Sequence, residues 1–462
     1  MKSICALLLL CATSAVAFAA PEPPPAKVPG FAFVKTVGPI SEFRLESNGL
    51  QVLLLPEHSS PTLTFMVTYR VGSRNEVTGT TGATHLLEHL MFKGTPKFNR
   101  DKGNNVDQLL ERVGGQSNAS TWLDRTNYYA NIASENLDAY MAIEADRMRN
   151  LWLREADRKP EMTVVRNEFE IGENEPVQAL EKELYAAAYV GHPYHHSTIG
   201  WRSDIEKVPI EKLREFYDTF YWPDNATATL IGDIEPAAAL ALVKKHYGAI
   251  PKAPKPLPVV YTEEPEQTGE RRVTVKRAGE LGVVAIAHKV PPALHADQAA
   301  LTILDNILTA GKNSRFYRAL TDKNLTTSVN MDTGSFHDAS LGIIYASLAP
   351  NVTHEQVEKV VLDELERVKR DGVSDAEVNT AIAQVMAALT YARDGSFAIA
   401  NVLNEAIAAG DWTFYVTVEE ALKKVSAADV QRVANAYFVE DKRTTGWFIP
   451  LPAATDDGEA NE

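Results

Sequence analysis

Five prolines fall within residues 251–270, at positions 251, 254, 256, 258 and 265. Proline fixes φ, has no N–H to give to a helix or a sheet ladder, and disfavours helical backbone in the residue before it. Such a stretch reads as an extended linker, and each flanking segment must then build its own core. At 462 residues the chain is too long for one ordinary core and suits two units of roughly 200 residues. We expect a domain over 30–250, a linker over 251–270 and a second domain over 271–450.

The two segments share one plan. Each opens with strand-like runs, 51–55 and 63–71 in the first, 272–276 and 282–288 in the second. Each then enters a helix-like segment, around 81–93 and around 297–308. Each closes with amphipathic helices, 210–220 and 236–247 in the first, 354–370 and 375–388 in the second. Laid on Thr302–Gly311, the stretch His85–Gly94 matches its apolar positions at one constant register, while its polar chemistry does not carry over. The expectation is two homologous α+β domains, one chemically armed and one not.

The chain ends carry other signals. Met1-Lys2 opens a positive start, 4–12 is apolar, and Ala15-Val16-Ala17 and Ala17-Phe18-Ala19 fit a small-residue cleavage pattern. Residues 1–20 therefore read as a secretory signal peptide, too short to span a bilayer. The expected address is export, to the periplasm of a Gram-negative bacterium. Both cysteines, Cys5 and Cys11, fall in that leader, so no thiol chemistry or disulfide is expected in the mature chain. No later stretch has the length and apolarity of a membrane span. The formal charge of −15 repels phosphate and argues against nucleic acid as a partner. Residues 451–462 are acidic and small, and are expected to be a flexible tail.

The reactive residues lie at His85-Leu86-Leu87-Glu88-His89. On a helix, positions i, i+3 and i+4 share a face. Two imidazoles one turn apart can bind one zinc ion, and the carboxylate beside them can reach a water on that metal; the order H-x-x-E-H is a zinc-peptidase signature. A catalytic zinc takes about three protein ligands. Downstream, Glu161 and Glu168 are seven apart on a helix-like run and share a face. Glu168 is the candidate third ligand and Glu161 a carboxylate that orients a ligand histidine. Glu170, Glu173 and Glu175 are not excluded by spacing. His192, His195 and His196 read as loop packing more readily than as a second metal site. Glycine-rich phosphate loops and the Gly-x-Ser-x-Gly elbow are absent.

With Val71–Glu76, Asn118–Thr121, Asp124–Tyr128 and His192-Pro193-Tyr194 ahead of Ile199-Gly200, these motifs resemble the pitrilysin-type (inverzincin) zinc metallopeptidases. The likeness runs over nearly all of the mature chain. Its length suggests the small subclass similar to the mitochondrial processing peptidase subunits and their exported bacterial relatives. That resemblance implies two domains, each a mainly antiparallel sheet with helices packed on it, and one zinc ion per chain held by His85, His89 and Glu168. Glu88 would be the general base, and Asn118 and Ala119 would lie on an edge strand that pairs with a peptide substrate. The expected activity is endopeptidase cleavage of short or unfolded peptides in a closed chamber.

One departure stands out. Active relatives carry an Arg-x6-Tyr pair in the second domain, and Thr321 and Thr327 stand near those places here, one residue short in spacing. A related subunit supplying that pair in a heterodimer is therefore expected, with a homodimer as the other arrangement. The alternative function is a non-catalytic binding or scaffold subunit of such a dimer. The intact Glu88 separates the two, since a scaffold has no physical need for it.

Overall fold

The structure, a computed structural model, describes residues 28–452. The leader over 1–20 and the acidic end beyond 452 lie outside the described residues. Two mixed sheets form the frame. The first takes β1 (Phe31–Val37), β2 (Ile40–Leu45), β3 (Gln51–Pro56), β4 (Thr62–Tyr69), β5 (Gln116–Thr121), β6 (Thr126–Ala133) and β7 (Ala226–Gly232). Their order is β1-β2-β3-β7-β4-β6-β5. The second takes β8 (Arg271–Ala278), β9 (Val283–Val290), β10 (Thr326–Thr333), β11 (Ser340–Leu348) and β12 (Arg443–Leu451), in the order β10-β11-β9-β12-β8.

The second sheet repeats five strands of the first. Read as β8-β12-β9-β11-β10, it matches β3-β7-β4-β6-β5 position for position. In each, one pair is parallel, β3 with β7 and β8 with β12, and the other neighbours are antiparallel. The parallel pair arises because the last strand of each half returns from a run of helices to lie beside the first of the five repeated strands, the long crossover that parallel pairing needs. The helix Ala83–Leu90 follows β4 as the helix Gln298–Thr309 follows β9. The repeat suggested by the His85 and Thr302 segments is therefore a repeat of topology.

Strand β4 is buried along nearly its whole length because both of its faces are covered. Leu63, Phe65, Val67 and Tyr69 enter the core of the first half. The opposite face is covered from the other half of the chain. Ala400, Leu403, Ala406 and Ile407 of the helix Ser396–Ala409 pack on Leu53, Met66 and Ile231 of the first sheet. Thr64 Oγ1 donates to Ser396 Oγ at 2.8 Å, and Thr68 Oγ1 to Asn404 Oδ1 at 2.7 Å.

The exchange is reciprocal. Leu180, Leu184 and Ala188 of the helix Pro176–Ala188 pack on Val275, Val283, Ala285 and Phe448 of the second sheet. Arg271 Nη1 donates to the last carbonyls of that helix, Ala187 O at 2.9 Å and Ala188 O at 2.8 Å. Each half thus lends a helix to the other's sheet. Residues 251–270, between them, contain no helix or strand.

Candidate active site

The helix spans Ala83–Leu90, against the 81–93 expected, and it starts after Gly82 because that residue sits in the left-handed region at φ 83°. Glu76 holds the helix start: its carboxylate accepts from Gly82 N at 2.8 Å and Thr84 N at 2.7 Å, filling donors that a helix N-terminus leaves open. A side chain at Gly82 would meet Ile199 O at 2.3 Å, and one at Gly200 would meet Gly82 N at 2.4 Å. The loop before Gly200 therefore rests directly on the helix start. Leu86, Leu87 and Leu90 are buried in the first core and fix the rotation of the helix.

With that rotation, His85, Glu88 and His89 meet the long helix Glu155–Asn174. His85 Nε2 lies 3.6 Å and His89 Nε2 3.7 Å from Glu168 Oε2. Donor atoms of the three residues all fall within 4.8 Å of one another, the one such group among the described residues. A tetrahedral zinc about 2.1 Å from each ligand sets its ligand atoms roughly 3.4 Å apart, so the spacing and the N,N,O donor set fit that ion. On its far side, His89 Nδ1 faces Glu161 Oε2 at 3.2 Å. Lys93 pairs with the other oxygen of Glu161. Burial, with His89 alongside, pushes His85 down to about 4, so its ring is neutral and one nitrogen has a lone pair free to bind.

Glu88 is 9% exposed. Thr121 Oγ1, at the end of β5, donates to Glu88 Oε2 at 2.5 Å. Burial raises the Glu88 pKa above the ordinary carboxylate value, while the Thr121 bond, His89 and Arg125 pull it back. A carboxyl placed in this way beside two imidazoles is positioned to take and return a proton.

Asn118 and Ala119 lie on β5, the outer strand of the first sheet. Their strand pairs with β6 on one side alone, and it ends at Thr121 beside Glu88. An extended peptide added to this edge would run toward Glu88.

Other sequence candidates fall elsewhere. Glu170 lies near Arg166 and Arg202, and Glu173 binds Lys182 and Arg277. His192 Nε2 meets Asp338 at 2.9 Å and joins the two halves, and His195 Nδ1 faces His192 O at 3.2 Å. Thr321 Oγ1 pairs with Thr326 Oγ1 at 3.0 Å, and Thr327 Oγ1 donates to Ser347 O at 3.3 Å. Arg315, in the same region, is held by Glu377 at 2.8 Å and lies 3.6 Å from Glu364. Thr302, Asp305 and Asn306, at the places of His85, Glu88 and His89, form no metal-type group. Thr121, the partner of Glu88, has no signal in the sequence beyond its place in the stretch Asn118–Thr121.

Fold and site together define a two-domain metallopeptidase. Residues 51–201 match the family model "Insulinase (Peptidase family M16)", and residues 207–385 match "Peptidase M16 inactive domain". The zinc protease PqqE of Helicobacter pylori is 33% identical over 408 residues, covering 87% of this chain and 91% of that one. The mitochondrial-processing peptidase subunit beta of Lentinula edodes is 26% identical over 423 residues, covering 88% and 89%. Among solved structures, a protease from Helicobacter pylori superposes with a TM-score of 0.84 at 32% identity, covering 89% of this chain and 99% of that one. The first half of the periplasmic protease PqqL from Escherichia coli gives a TM-score of 0.74 at 16% identity, covering 91% and 94%. The chain belongs to peptidase family M16, the insulinase family.

Proposed function

We propose that this chain is a zinc-dependent endopeptidase that hydrolyses short or unfolded peptides. The observation that carries the reading is the convergence of His85, His89 and Glu168 on one point beside the buried Glu88. Those three residues would hold a zinc ion, which would supply Lewis acidity toward the attacking water and the scissile carbonyl. Glu161 holds His89 through Nδ1, which leaves Nε2 for the ion. Glu88 takes the proton of the attacking water and returns it to the leaving amine, and Thr121 fixes the carboxylate for both transfers. The peptide lies along β5 at Asn118 and Ala119, so that its backbone is extended at the point of cleavage. Its enclosure in a closed chamber, one ion per chain and export to the periplasm belong to the same reading, the last supported by the leader pattern at 1–20.

Glu88→Gln tests the reading. The variant should keep its zinc and lose about 10²–10⁴-fold in peptide hydrolysis. Undiminished cleavage would remove Glu88 from the mechanism, and a folded wild-type chain that takes up no zinc would favour a binding subunit.

The second half of the site points to a partner. Thr321 and Thr327 are spent on bonds within their own half, and Arg315 is locked between two carboxylates. We propose that a related subunit supplies the missing Arg and Tyr in a heterodimer. The same cleavage assay on a monodisperse preparation of this chain alone should give little activity; full activity there would sink the heterodimer.

A further inference from the structure

Strand β5 has little apolar anchorage. It pairs with β6 on one side alone, and of its residues only Thr121 is buried. Its last two residues are held instead by polar bonds, one set from each face of the sheet, since successive residues of a strand point to opposite faces. Thr121 reaches the helix Ala83–Leu90, where its hydroxyl donates to Glu88 Oε2 at 2.5 Å. Ser120, next to it, is held by Arg125: Nη1 donates to Ser120 O at 3.0 Å and to Ser120 Oγ at 2.5 Å.

Arg125 is in turn held by the other half of the chain. Its Nη2 and Nε donate to Glu405 Oε1 at 2.6 Å and 3.1 Å. Glu405 stands on the helix Ser396–Ala409, which the second half lends to the first sheet. Asn404, beside it and fully buried, donates to the same oxygen at 3.2 Å and accepts from Thr68 Oγ1 of β4. The line of bonds runs from β4 through Asn404, Glu405 and Arg125 to Ser120, and its neighbour Thr121 continues it to Glu88.

Stability does not account for a charge at this join. The rest of the contact is apolar, and Arg125 is 8% exposed. Taking a guanidinium out of water offsets most of what its ion pair returns, and apolar side chains of similar volume would stabilise the join as well or better. What a charged pair adds is a defined position, because its donors and acceptors are met in one geometry. All three nitrogens of Arg125 are used, and the residue they fix is the neighbour of the one that holds Glu88.

We propose that Glu405 is a positioning residue for Glu88: through Arg125 and Ser120, the second half of the chain sets the place of the β5 end and with it the carboxylate that Thr121 holds. The role rests on the peptidase reading, in which Glu88 takes the proton of the attacking water. It makes that step depend on a half of the chain with no metal-type group among its described residues.

The test compares the zinc-loaded wild type with Glu405→Ala, Thr121→Val and the double variant on an unstructured fluorogenic peptide. The Glu405 side chain is 45% exposed, so its truncation leaves no core cavity and the fold stands. Glu405→Ala should lower kcat and kcat/KM together by about 10–100-fold, since placement for the reaction is lost and peptide binding is not. Thr121→Val should do the same, and the double variant should fall no further than the worse single one, because both changes cut one linkage. Hydrogen exchange, read without substrate, should be faster over residues 116–122 in Glu405→Ala at unchanged zinc content. Losses that multiply in the double variant would make the two residues independent and overturn the proposal. So would wild-type kcat in Glu405→Ala, or unchanged exchange over 116–122. A wild type that cleaves no peptide sinks the peptidase reading alone, and the exchange comparison then still decides whether Glu405 holds the β5 end.

Discussion

Glu161 shows how far a single carboxylate can act without touching the reaction. One oxygen faces His89 Nδ1 and the other pairs with Lys93, so the imidazole is held in one tautomer and one orientation. Glu161→Gln should weaken zinc affinity by about 10–100-fold with little change in fold, read by competition with a fluorescent chelator. Unchanged affinity would reduce Glu161 to a surface ion pair. His85, Glu88 and His89 were legible in the sequence because their chemistry follows from one helix and its period. Glu161 and Glu168 were legible for the same reason on a second helix. Thr121 was not, because its contact with Glu88 is made between a strand end and a helix, and no local spacing encodes it.

At the scale of elements, helix positions were readable and sheet order was not. The helices Ile210–Phe220 and Pro236–Tyr247 fall where the amphipathic pattern puts them. The pattern states that a helix has an apolar face; it does not state which sheet that face covers. The exchange of helices 176–188 and 396–409 between the halves is therefore invisible in the sequence. Polar strands are hidden too: Gln116–Thr121 has no apolar alternation, and only its neighbours make it a strand. The exchanged helices should carry stability for the halves they visit. Leu180→Ala and Leu403→Ala, both fully buried, should each cost about 2–5 kcal/mol in urea unfolding. Each should do so in one transition shared by both sheets, since each cavity opens at the join. Two separate transitions, one per half, would show the join to be weak.

For the whole molecule, acid is the informative stress. His288 on β9 is fully buried, and burial, aided by the charges of Arg443 and Lys369, pushes it down to about 3. In the unfolded chain a histidine titrates near 6.5. The folded form refuses the proton that the unfolded form accepts, so this contribution is whole above about pH 6.5 and is lost as pH falls toward 3. The loss is about 1.4 kcal/mol per pH unit in that window. His288→Phe should flatten the fall in urea-unfolding stability between pH 6 and pH 4 by about one proton, whatever its effect at pH 7. Parallel profiles for the two proteins would mean that His288 takes up its proton in the folded state.

The reciprocal loan of helices also sets a schedule for synthesis. The helix that covers the first sheet ends at Ala409, and the first half's own last helix ends at Tyr247. Roughly 160 residues separate those points, about 10–30 s of elongation at about 5–20 residues per second. Through that interval the nascent first half has an open apolar sheet face, and the helix 176–188 has no surface to sit on. The first core, built from residues 31–247, can close on delivery, while the other face of its sheet must wait for the far end of the chain.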